Sequence, residues 1–196
     1  MKNTLLIAAI GFALLMPTYS HAQFSNPFGP DKTITQKKED ILKKNDEILR
    51  HLYKVQPKAK ELIDKSVGYA SFSNFGMKIL IAGGGTGSGV VVSKSGAKPI
   101  YMNMAEVQAG IGLGIKSFQN IFIFQTESAL NDFVNSGWTF GGQVTAAAKY
   151  EKNGSAYQDA TVVAPGLLMY QLTDSGLAAE ITGKGTKYYK DSDLNK

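Results

Sequence analysis

GGGTGSG, at residues 83–89, lies between two runs that read as strands, residues 77–82 before it and residues 90–94 after it. A dinucleotide fingerprint needs glycines at i, i+2 and i+5, and a P-loop ends its glycine run with Gly-Lys-Ser/Thr. Neither pattern is present, because Ser88 holds the third glycine position and Gly89 is followed by valine. The run therefore predicts glycine inside a strand, where missing side chains allow a bulge, a sharp bend or the close approach of another backbone.

Alternating apolar residues after Ser66 predict further short strands, and glycines recur in several of them. Gly110, Gly112 and Gly114 fall on one face of such a strand and leave that face bare. The strands are predicted at residues 69–75, 77–82, 90–94, 100–107, 109–115, 120–124, 139–150, 157–163, 167–173 and 177–182.

Helical patterns lie on both sides of the first strands. A capping box at Thr33 and Gln36 opens one helix, Pro57 ends it, and residues 58–65 predict a short second helix. A further helix is predicted near 126–136. The chain is thus predicted to be α+β, with N-terminal helices packed on a glycine-rich, strongly curved antiparallel β-sheet or barrel.

The first residues predict export. Residues 1–22 combine a basic start, an apolar centre and a small-residue cleavage site, which is the pattern of a signal peptide. Residues 23–31, with two prolines and a glycine, predict a flexible arm, and residues 32–196 predict a single domain. No later stretch is apolar for long enough to cross a bilayer, so the mature chain is predicted to have no transmembrane span. We expect a protein of the periplasm or cell envelope, or a secreted one.

The composition excludes several kinds of chemistry. The chain has no cysteine, which removes disulfides, thiol catalysis, thiolate metal sites and the acylated cysteine of a lipoprotein. After the leader, His51 is the one histidine, and no Gly-x-Ser-x-Gly elbow accompanies it. A zinc site and a serine hydrolase are therefore not predicted, and neither is a cofactor.

The acidic residues do not form a catalytic pattern either. The acids of the strand region are scattered, and no spacing among them predicts two facing carboxyls. Residues 191–195 resemble the start of a calcium loop, but the glycine and the distal glutamate are missing, so this segment is interpreted as a solvated tail. We predict a non-enzymatic protein and give a hydrolase the weakest support. The scattered acids are Glu106, Asp132, Glu151 and Asp159.

The net charge of +5 is concentrated in one segment. Residues 32–65 hold ten bases and six acids, and the first helix there repeats an apolar residue every seventh position, as at Ile41 and Ile48. Such a stripe favours packing on a core, whereas a basic amphipathic helix also suits an anionic membrane surface. Nucleic-acid binding is not predicted, because the basic excess is small and aromatic residues are not interleaved with it. The bases of this helix are Lys37, Lys38, Lys43, Lys44, Arg50 and Lys54.

The order and spacing of the glycine clusters resemble the SYLF lipid-binding domain family over about residues 41 to 195. This resemblance implies phospholipid binding, with phosphoinositides as ligands and actin as a partner in eukaryotic relatives, and an envelope role in bacterial ones. The membrane contact of relatives is attributed to a basic amphipathic segment that corresponds here to residues 37–54. The motifs that carry the resemblance are YASF at 69–72, GGGTGSGVVV at 83–92, QAGIGLG at 108–114, the apolar run at 121–124, Gly137-Trp138, Tyr170 and SGLAA at 175–179.

Three departures narrow what the resemblance implies. Serine follows Phe72 where relatives often have proline, no tryptophan lies near residues 97–99, and a lipobox cysteine is missing. These departures argue against phosphoinositide binding and actin binding, but not against general binding of anionic phospholipid. The sequence therefore predicts an exported protein that binds anionic phospholipid or a membrane surface peripherally through Lys37, Lys38, Lys43, Lys44, Arg50 and Lys54.

Two alternatives stay open. In the first, the protein is a structural or protein-interaction module of the cell envelope, with an envelope protein as its partner and no direct lipid ligand. A lesser possibility concerns the glycine run, whose backbone N–H groups would help to hold a head-group phosphate.

Overall fold

The computed structural model describes residues 32–79, 82–109, 114–140, 160–173, 176–177 and 185–196, with the backbone alone at residues 75–79, 82–83, 108–109, 114–116 and 140. These residues contain the helices α1 (Ile34–Val55), α2 (Lys58–Lys65) and α3 (Glu127–Asn135). They also contain the strands β1 (Gly68–Ile79), β2 (Ala82–Ser93), β3 (Ile100–Ala109), β4 (Gly114–Phe124), β5 (Trp138–Phe140), β6 (Thr161–Ala164), β7 (Leu167–Thr173), β8 (Gly176–Leu177) and β9 (Thr186–Lys190).

The strands form one antiparallel sheet in the order β5-β9-β3-β2-β1-β4-β7-β6, and β8 pairs with β7. The sheet is curved into a half-barrel. Asn120 Nδ2 on β4 donates a hydrogen bond of 2.8 Å to Tyr188 Oη on β9, although β3, β2 and β1 separate these two strands in the sheet. The predicted α+β fold with a strongly curved antiparallel sheet is confirmed.

The GGGTGSG run lies inside β2. β2 keeps an unbroken register with β1 on one side and β3 on the other, so that Gly89 lies opposite both Phe72 and Met102. Of the two strands predicted beside the run, residues 77–79 belong to β1 and residues 90–93 belong to β2. The predicted start of the second strand at residue 90 is therefore wrong, because β2 already begins at Ala82 and includes the run. Because both edges of β2 are paired, its backbone N–H groups are used by the sheet, and none of its glycines has a positive φ. The arrangement does not support a phosphate cradle there.

One face of β2 carries almost no side chains. Alternation places Gly87 and Gly89 on the same face as Val91, which belongs to the main hydrophobic core. A Cβ at Gly89 would overlap the carbonyl oxygen of Ser71 and the ring of Phe72. The Phe72 ring therefore occupies the space that a side chain at Gly89 would fill, and the predicted close approach at the glycine run is confirmed.

The bare face also lets the two neighbours of β2 reach each other across it. Asn74 on β1 and Glu106 on β3 are both buried, and Asn74 Nδ2 donates to Glu106 Oε2 over 3.1 Å. Their partners on β2 are Gly87 and Gly85. A side chain on β2 would stand between strands that are normally about 9.5 Å apart, so the bond depends on glycine.

The same face of the sheet packs aromatic rings against α3. The ring centroids of Phe72 and Tyr188 are 4.7 Å apart, and Phe122 lies 5.0 Å from both Phe133 and Tyr188. Trp138 lies 5.3 Å from Phe122 at an interplanar angle of 74°. Such edge-to-face pairs contribute about 0.5–1.5 kcal/mol each beyond the area they bury. We call these five rings the aromatic core.

The opposite face of the sheet is covered by α1 and α2, which coincide with the predicted helices. Ile48 and Leu52 of α1 pack with Ile121 of β4 in a second hydrophobic cluster. The predicted packing of the α1 stripe on a core is therefore confirmed for its middle. At the ends of the stripe Ile34 and Val55 are 49% and 37% exposed, because only the middle turns of the helix lie against apolar strand residues.

The C-terminal segment belongs to the fold, and its interpretation as a solvated tail is wrong. β9 pairs with both β3 and β5. Leu194 is buried in a third cluster with Val90 and Tyr101. Asp191 Oδ1 accepts the backbone N–H groups of Asp193 and Leu194, both over 2.8 Å, so this acid closes a turn.

Several predictions fall outside the described residues. They are the signal peptide at 1–22, the arm at 23–31, the glycines at 110 and 112, the acids at 151 and 159, and the larger parts of the strands predicted at 139–150 and 177–182.

Candidate functional site

The buried residues of α1 set the direction in which its bases project. Ile48 and Leu52 are 1% and 0% exposed and define the inward side. Each helical residue turns the side chain by about 100°, so Lys43, Arg50 and Lys54, which are seven and four residues apart, share the opposite side. All three are exposed. We call these three side chains the outward face of α1.

A polar contact fixes the rotation of α1 on the sheet. Asn45 is buried on the inward side, where its Oδ1 accepts a hydrogen bond of 2.8 Å from Ser71 Oγ and its Nδ2 donates to Tyr69 Oη over 3.2 Å. Burial raises the pKa of Tyr69, while the hydrogen bond with Asn45 lowers it in part. Since buried polar groups are costly to leave unpaired, these bonds hold the outward face away from the sheet.

The outward face keeps its positive charge. In the part of the chain that the structure describes, no ion pair engages Lys43, Arg50 or Lys54. Glu47 pairs instead with Lys44 over 3.0 Å. The hydrogen bond and the charge of Lys44 lower the pKa of Glu47, and the charges of Lys43 and Arg50 lower it further.

Lys38 projects from a different side of the helix. Its Nζ lies 5.5 Å from the centre of the Tyr101 ring, a distance at which a cation is attracted to the face of an aromatic ring. It lines a pocket of about 590 Å³ together with three other lysines and the apolar residues Pro99, Ile100 and Leu194. We call this cavity the lysine pocket. Its lysines are Lys38, Lys98, Lys190 and Lys196.

Lys37 and Lys44 lie on neither of these sides. Lys37 is close enough to Asp191 to influence its ionisation. Burial raises the pKa of Asp191, but hydrogen bonds from Leu194 N–H and Asn103 lower it. The charge of Lys37 lowers it further, so the pKa is lowered overall. Lys44 borders a polar cleft of about 560 Å³ between α1 and the strands β1 to β3. The cleft is lined by Asp40, Ile41, Lys44, Asn45, Ile48, Ser71, Ser73, Asn74, Thr86, Gly87, Ser88 and Asn103.

Five of the six predicted site residues are therefore divided among three surfaces, and Lys37 lies near Asp191 instead. The structure brings Lys43, Arg50 and Lys54 together, and separates them from Lys38 in the lysine pocket and from Lys44 at the polar cleft. A helix turns by about 100° at each residue, so a run of bases that is continuous in sequence is spread around its axis.

The other lysine-pocket residues were missed from the sequence. Lys98 precedes β3, Lys190 ends β9 and Lys196 follows the C-terminal turn. These positions meet only because β9 pairs with β3. No local pattern signals such a pairing, whereas a run of bases on one helix is visible directly.

Of the acids named from the sequence, the two that the structure describes, Glu106 and Asp132, are not brought together as a catalytic pair. Glu106 is 3% exposed and bonded to Asn74, while Asp132 is exposed on α3. Within the described ranges, no group of three or more histidine and acidic side chains is arranged to hold a metal ion. None of the described helices is both long enough and apolar enough to cross a membrane.

Comparison with known proteins gives two matches. Residues 105–196 match the family model Ysc84, described as "Las17-binding protein actin regulator". The chain is also 32% identical over 151 residues to "Beta cell expansion factor A" of Aeromonas veronii, an alignment that covers 77% of this chain and 56% of that protein. The chain thus spans little more than half the length of this relative.

These matches confirm the resemblance found in the sequence, since Ysc84 is the SYLF domain and the Aeromonas protein is a SYLF-family protein. The family-model match begins inside β3 and does not include α1. It therefore supports the identity of the domain without bearing on the basic helix.

Proposed function

We propose, from the premise that this chain carries a domain of the Ysc84 (SYLF) family, that it is a non-enzymatic binding module that attaches to anionic phospholipid surfaces. The family suggests a lipid-binding or actin-regulator-like role, and no catalytic family is indicated. The outward face of α1 is the proposed contact. The supporting observation is that Lys43, Arg50 and Lys54 are exposed on one side and form no ion pair with any residue that the structure describes, while the other side is held on the sheet.

The magnitude of this attraction is modest. A base near an anionic leaflet contributes about 1 kcal/mol, so three bases contribute roughly 3 kcal/mol. That corresponds to an affinity gain of roughly a hundredfold. Because mobile ions screen charges over about 8 Å at physiological ionic strength, attachment of this kind is reversible and weakens as salt rises.

The proposed setting is the cell envelope. A signal peptide at residues 1–22 would place a mature chain starting at Gln23 in the periplasm, at the envelope or outside the cell, where it meets anionic leaflets. Mass spectrometry of the protein from an osmotic-shock fraction tests this. An uncleaved N-terminus, or recovery only from the cytosol, contradicts the proposed export.

Vesicle sedimentation tests the contact. The variant Lys43→Glu/Arg50→Glu/Lys54→Glu is expected to lose at least roughly tenfold in partitioning to phosphatidylglycerol-containing vesicles at low salt. The matched control is Lys58→Glu/Lys94→Glu/Lys187→Glu, which makes the same change of net charge at exposed positions that form no ion pair among the described residues. Equal losses in both variants, or none in the first, contradict a specific outward face.

A protein-interaction role is the alternative, and one surface favours it. Val107 on β3 and Tyr189 on β9 are 69% and 40% exposed, and both point away from the aromatic core by strand alternation. Tyr189 lies opposite Asn103, so the two side chains are four positions apart along the adjoining strands, about 13 Å. A protein partner can cover both across this surface. Under this alternative Val107→Asp/Tyr189→Ser abolishes capture of an envelope partner by crosslinking, while the outward-face variant leaves capture unchanged.

A further inference from the structure

We propose that the lysine pocket is a phosphate-binding site separate from the outward face of α1. It takes a phosphate ester, either the head group of a lipid or a soluble one. The pocket lies where the segment before β3, the end of β9, the C-terminal turn and Lys38 of α1 meet. Its volume of about 590 Å³ is sufficient for a small ester.

The backbone around the pocket is held in place by hydrogen bonds. Asn195 Oδ1 accepts the N–H of Tyr101 over 2.9 Å, and Asn195 Nδ2 donates to the carbonyl oxygens of Tyr101 and Asp191 over 2.7 and 2.6 Å. Leu194 is 5% exposed and anchors the turn in the third hydrophobic cluster. The lysines therefore extend from a fixed frame, which lowers the entropy lost when a ligand binds.

The charges of the pocket are only partly compensated. Lys38 faces the Tyr101 ring, and Lys98 has no partner within the described residues. Lys190 Nζ donates to the amide oxygen of Asn135 over 3.0 Å, and this neutral partner brings no opposite charge. Lys196 pairs with Asp193 over 2.7 Å. Asp191 is turned toward the side-chain amide of Asn103 and the backbone N–H groups of its own turn. A positive excess remains that suits a phosphate, for which ammonium groups are ordinary ligands.

The apolar wall of the pocket favours a ligand that has a carbon portion beside its phosphate. Pro99, Ile100 and Leu194 line the pocket beside the lysines, so the carbon portion of an ester can lie against them while its phosphate contacts the ammonium groups. The outward face of α1 has no such wall. The pocket therefore adds selectivity for a head group, whereas the outward face responds to surface charge.

NMR titration and vesicle binding test the site together. Glycerol 3-phosphate, or inorganic phosphate, is titrated into the protein while the amides of Tyr101 and Asn195 are followed. Phosphatidylcholine vesicles doped with phosphatidate are compared with vesicles doped to equal charge with phosphatidylserine. The variant Lys98→Gln/Lys190→Gln is expected to weaken binding roughly tenfold or more. The control Lys94→Gln/Lys187→Gln removes two exposed lysines elsewhere and is expected to bind like the parent.

The outcomes separate the two sources of phosphate and the two sites. Saturable shifts with the soluble ester identify a free phosphate ester as a ligand, and a preference for phosphatidate vesicles without such shifts identifies a lipid head group. The site is overturned if Lys98→Gln/Lys190→Gln, folded by circular dichroism, changes neither readout. The outward-face variant leaves binding of the soluble ester unchanged, so a failure of the proposed membrane contact is distinguishable from a failure of the pocket.

Discussion

The two faces of the curved sheet are built from the same strands, but different helices and different side chains pack on each of them. One face meets α3 through the aromatic core and also holds buried polar groups, namely Asn74, Glu106, Asn120, Gln171, Thr186 and the Tyr188 hydroxyl. The other face meets α1 through aliphatic side chains and the polar contacts of Asn45. Strand alternation alone produces this separation, because odd and even positions point to opposite sides.

The difference separates stability from the candidate sites. The aromatic core leaves little room for change, since the Phe72 ring fills the space above Gly89. The helix-covered face borders the polar cleft, and α1 carries both the outward face and Lys38 of the lysine pocket. Substitutions in the buried parts of either face are therefore expected to affect folding, whereas substitutions on the outward side of α1 are expected to affect binding.

The largest expected effect is from Phe122→Ala. Phe122 is fully buried and contacts four other rings of the aromatic core, so its loss should cost about 3–5 kcal/mol of unfolding free energy. Leu52→Ala removes a smaller side chain of equal burial on the other face and should cost about 2–5 kcal/mol. Urea denaturation measures both.

The fluorescence of Trp138 reports which of these two variants changes the packing of the aromatic core. The chain has one tryptophan, and it lies in the aromatic core. We expect Phe122→Ala to shift its emission in the native state and Leu52→Ala to leave the emission unchanged. A shift with Leu52→Ala would mean that the two faces are coupled and not separable.

The next effect concerns the bare face of β2. Gly89→Ala places a methyl group against Ser71 and Phe72 and should destabilise by about 1–3 kcal/mol. Gly84→Ala on the same strand is the control, because the nearest atom to its Cβ is the Glu106 carbonyl oxygen at 3.4 Å. It should be neutral within about 0.5 kcal/mol. Equal melting temperatures for both variants contradict the close packing of Phe72 on Gly89.

Asn45→Ala tests the attachment of α1. It leaves the hydroxyls of Ser71 and Tyr69 without this partner and should cost about 1–3 kcal/mol. Lys43→Ala, on the outward side of the same helix, should change stability by less than about 0.5 kcal/mol while weakening vesicle binding. The reverse ranking in thermal unfolding would refute the orientation given for α1.

The smallest effect depends on pH. The pKa of Asp191 is held below its ordinary value of 3.8, so its ionised form stabilises the fold above that pH, and the contribution is lost as pH falls through the lowered folded-state pKa. Asp191→Asn should therefore lower the melting temperature at neutral pH. The difference from the parent should narrow at acid pH, and a difference that stays constant down to pH 2 would argue against this linkage.

Features encoded locally were predictable from the sequence. The capping box at Thr33 is formed as predicted, with bonds of 2.9 and 3.2 Å to Gln36, and α2 begins after Pro57 as its position requires. β7 also has its predicted bounds. Caps, proline and side-chain periodicity act over a few residues, so a single sequence reports them.

Features that depend on pairing were not predictable. The glycine run has few side chains to show alternation, so the sequence predicts the strand from residue 90, whereas β2 begins at Ala82. β9 is not predicted, because its stability comes from pairing with β3 and β5. The lysine pocket was missed for the same reason, since Lys98 and Lys190 approach each other only through this pairing. Register between distant strands is a property of the whole sheet and not of a segment.

The hydrogen bond between Asn120 and Tyr188 has a consequence for how the chain folds. It joins residues 68 positions apart, and closing a long loop before its contacts form slows folding. Since synthesis proceeds from the N-terminus, Phe72 and Phe122 emerge well before Tyr188 and lack its ring until β9 arrives. The nascent chain is then most exposed to aggregation and to capture by chaperones in the interval before its final strand pairs with β3.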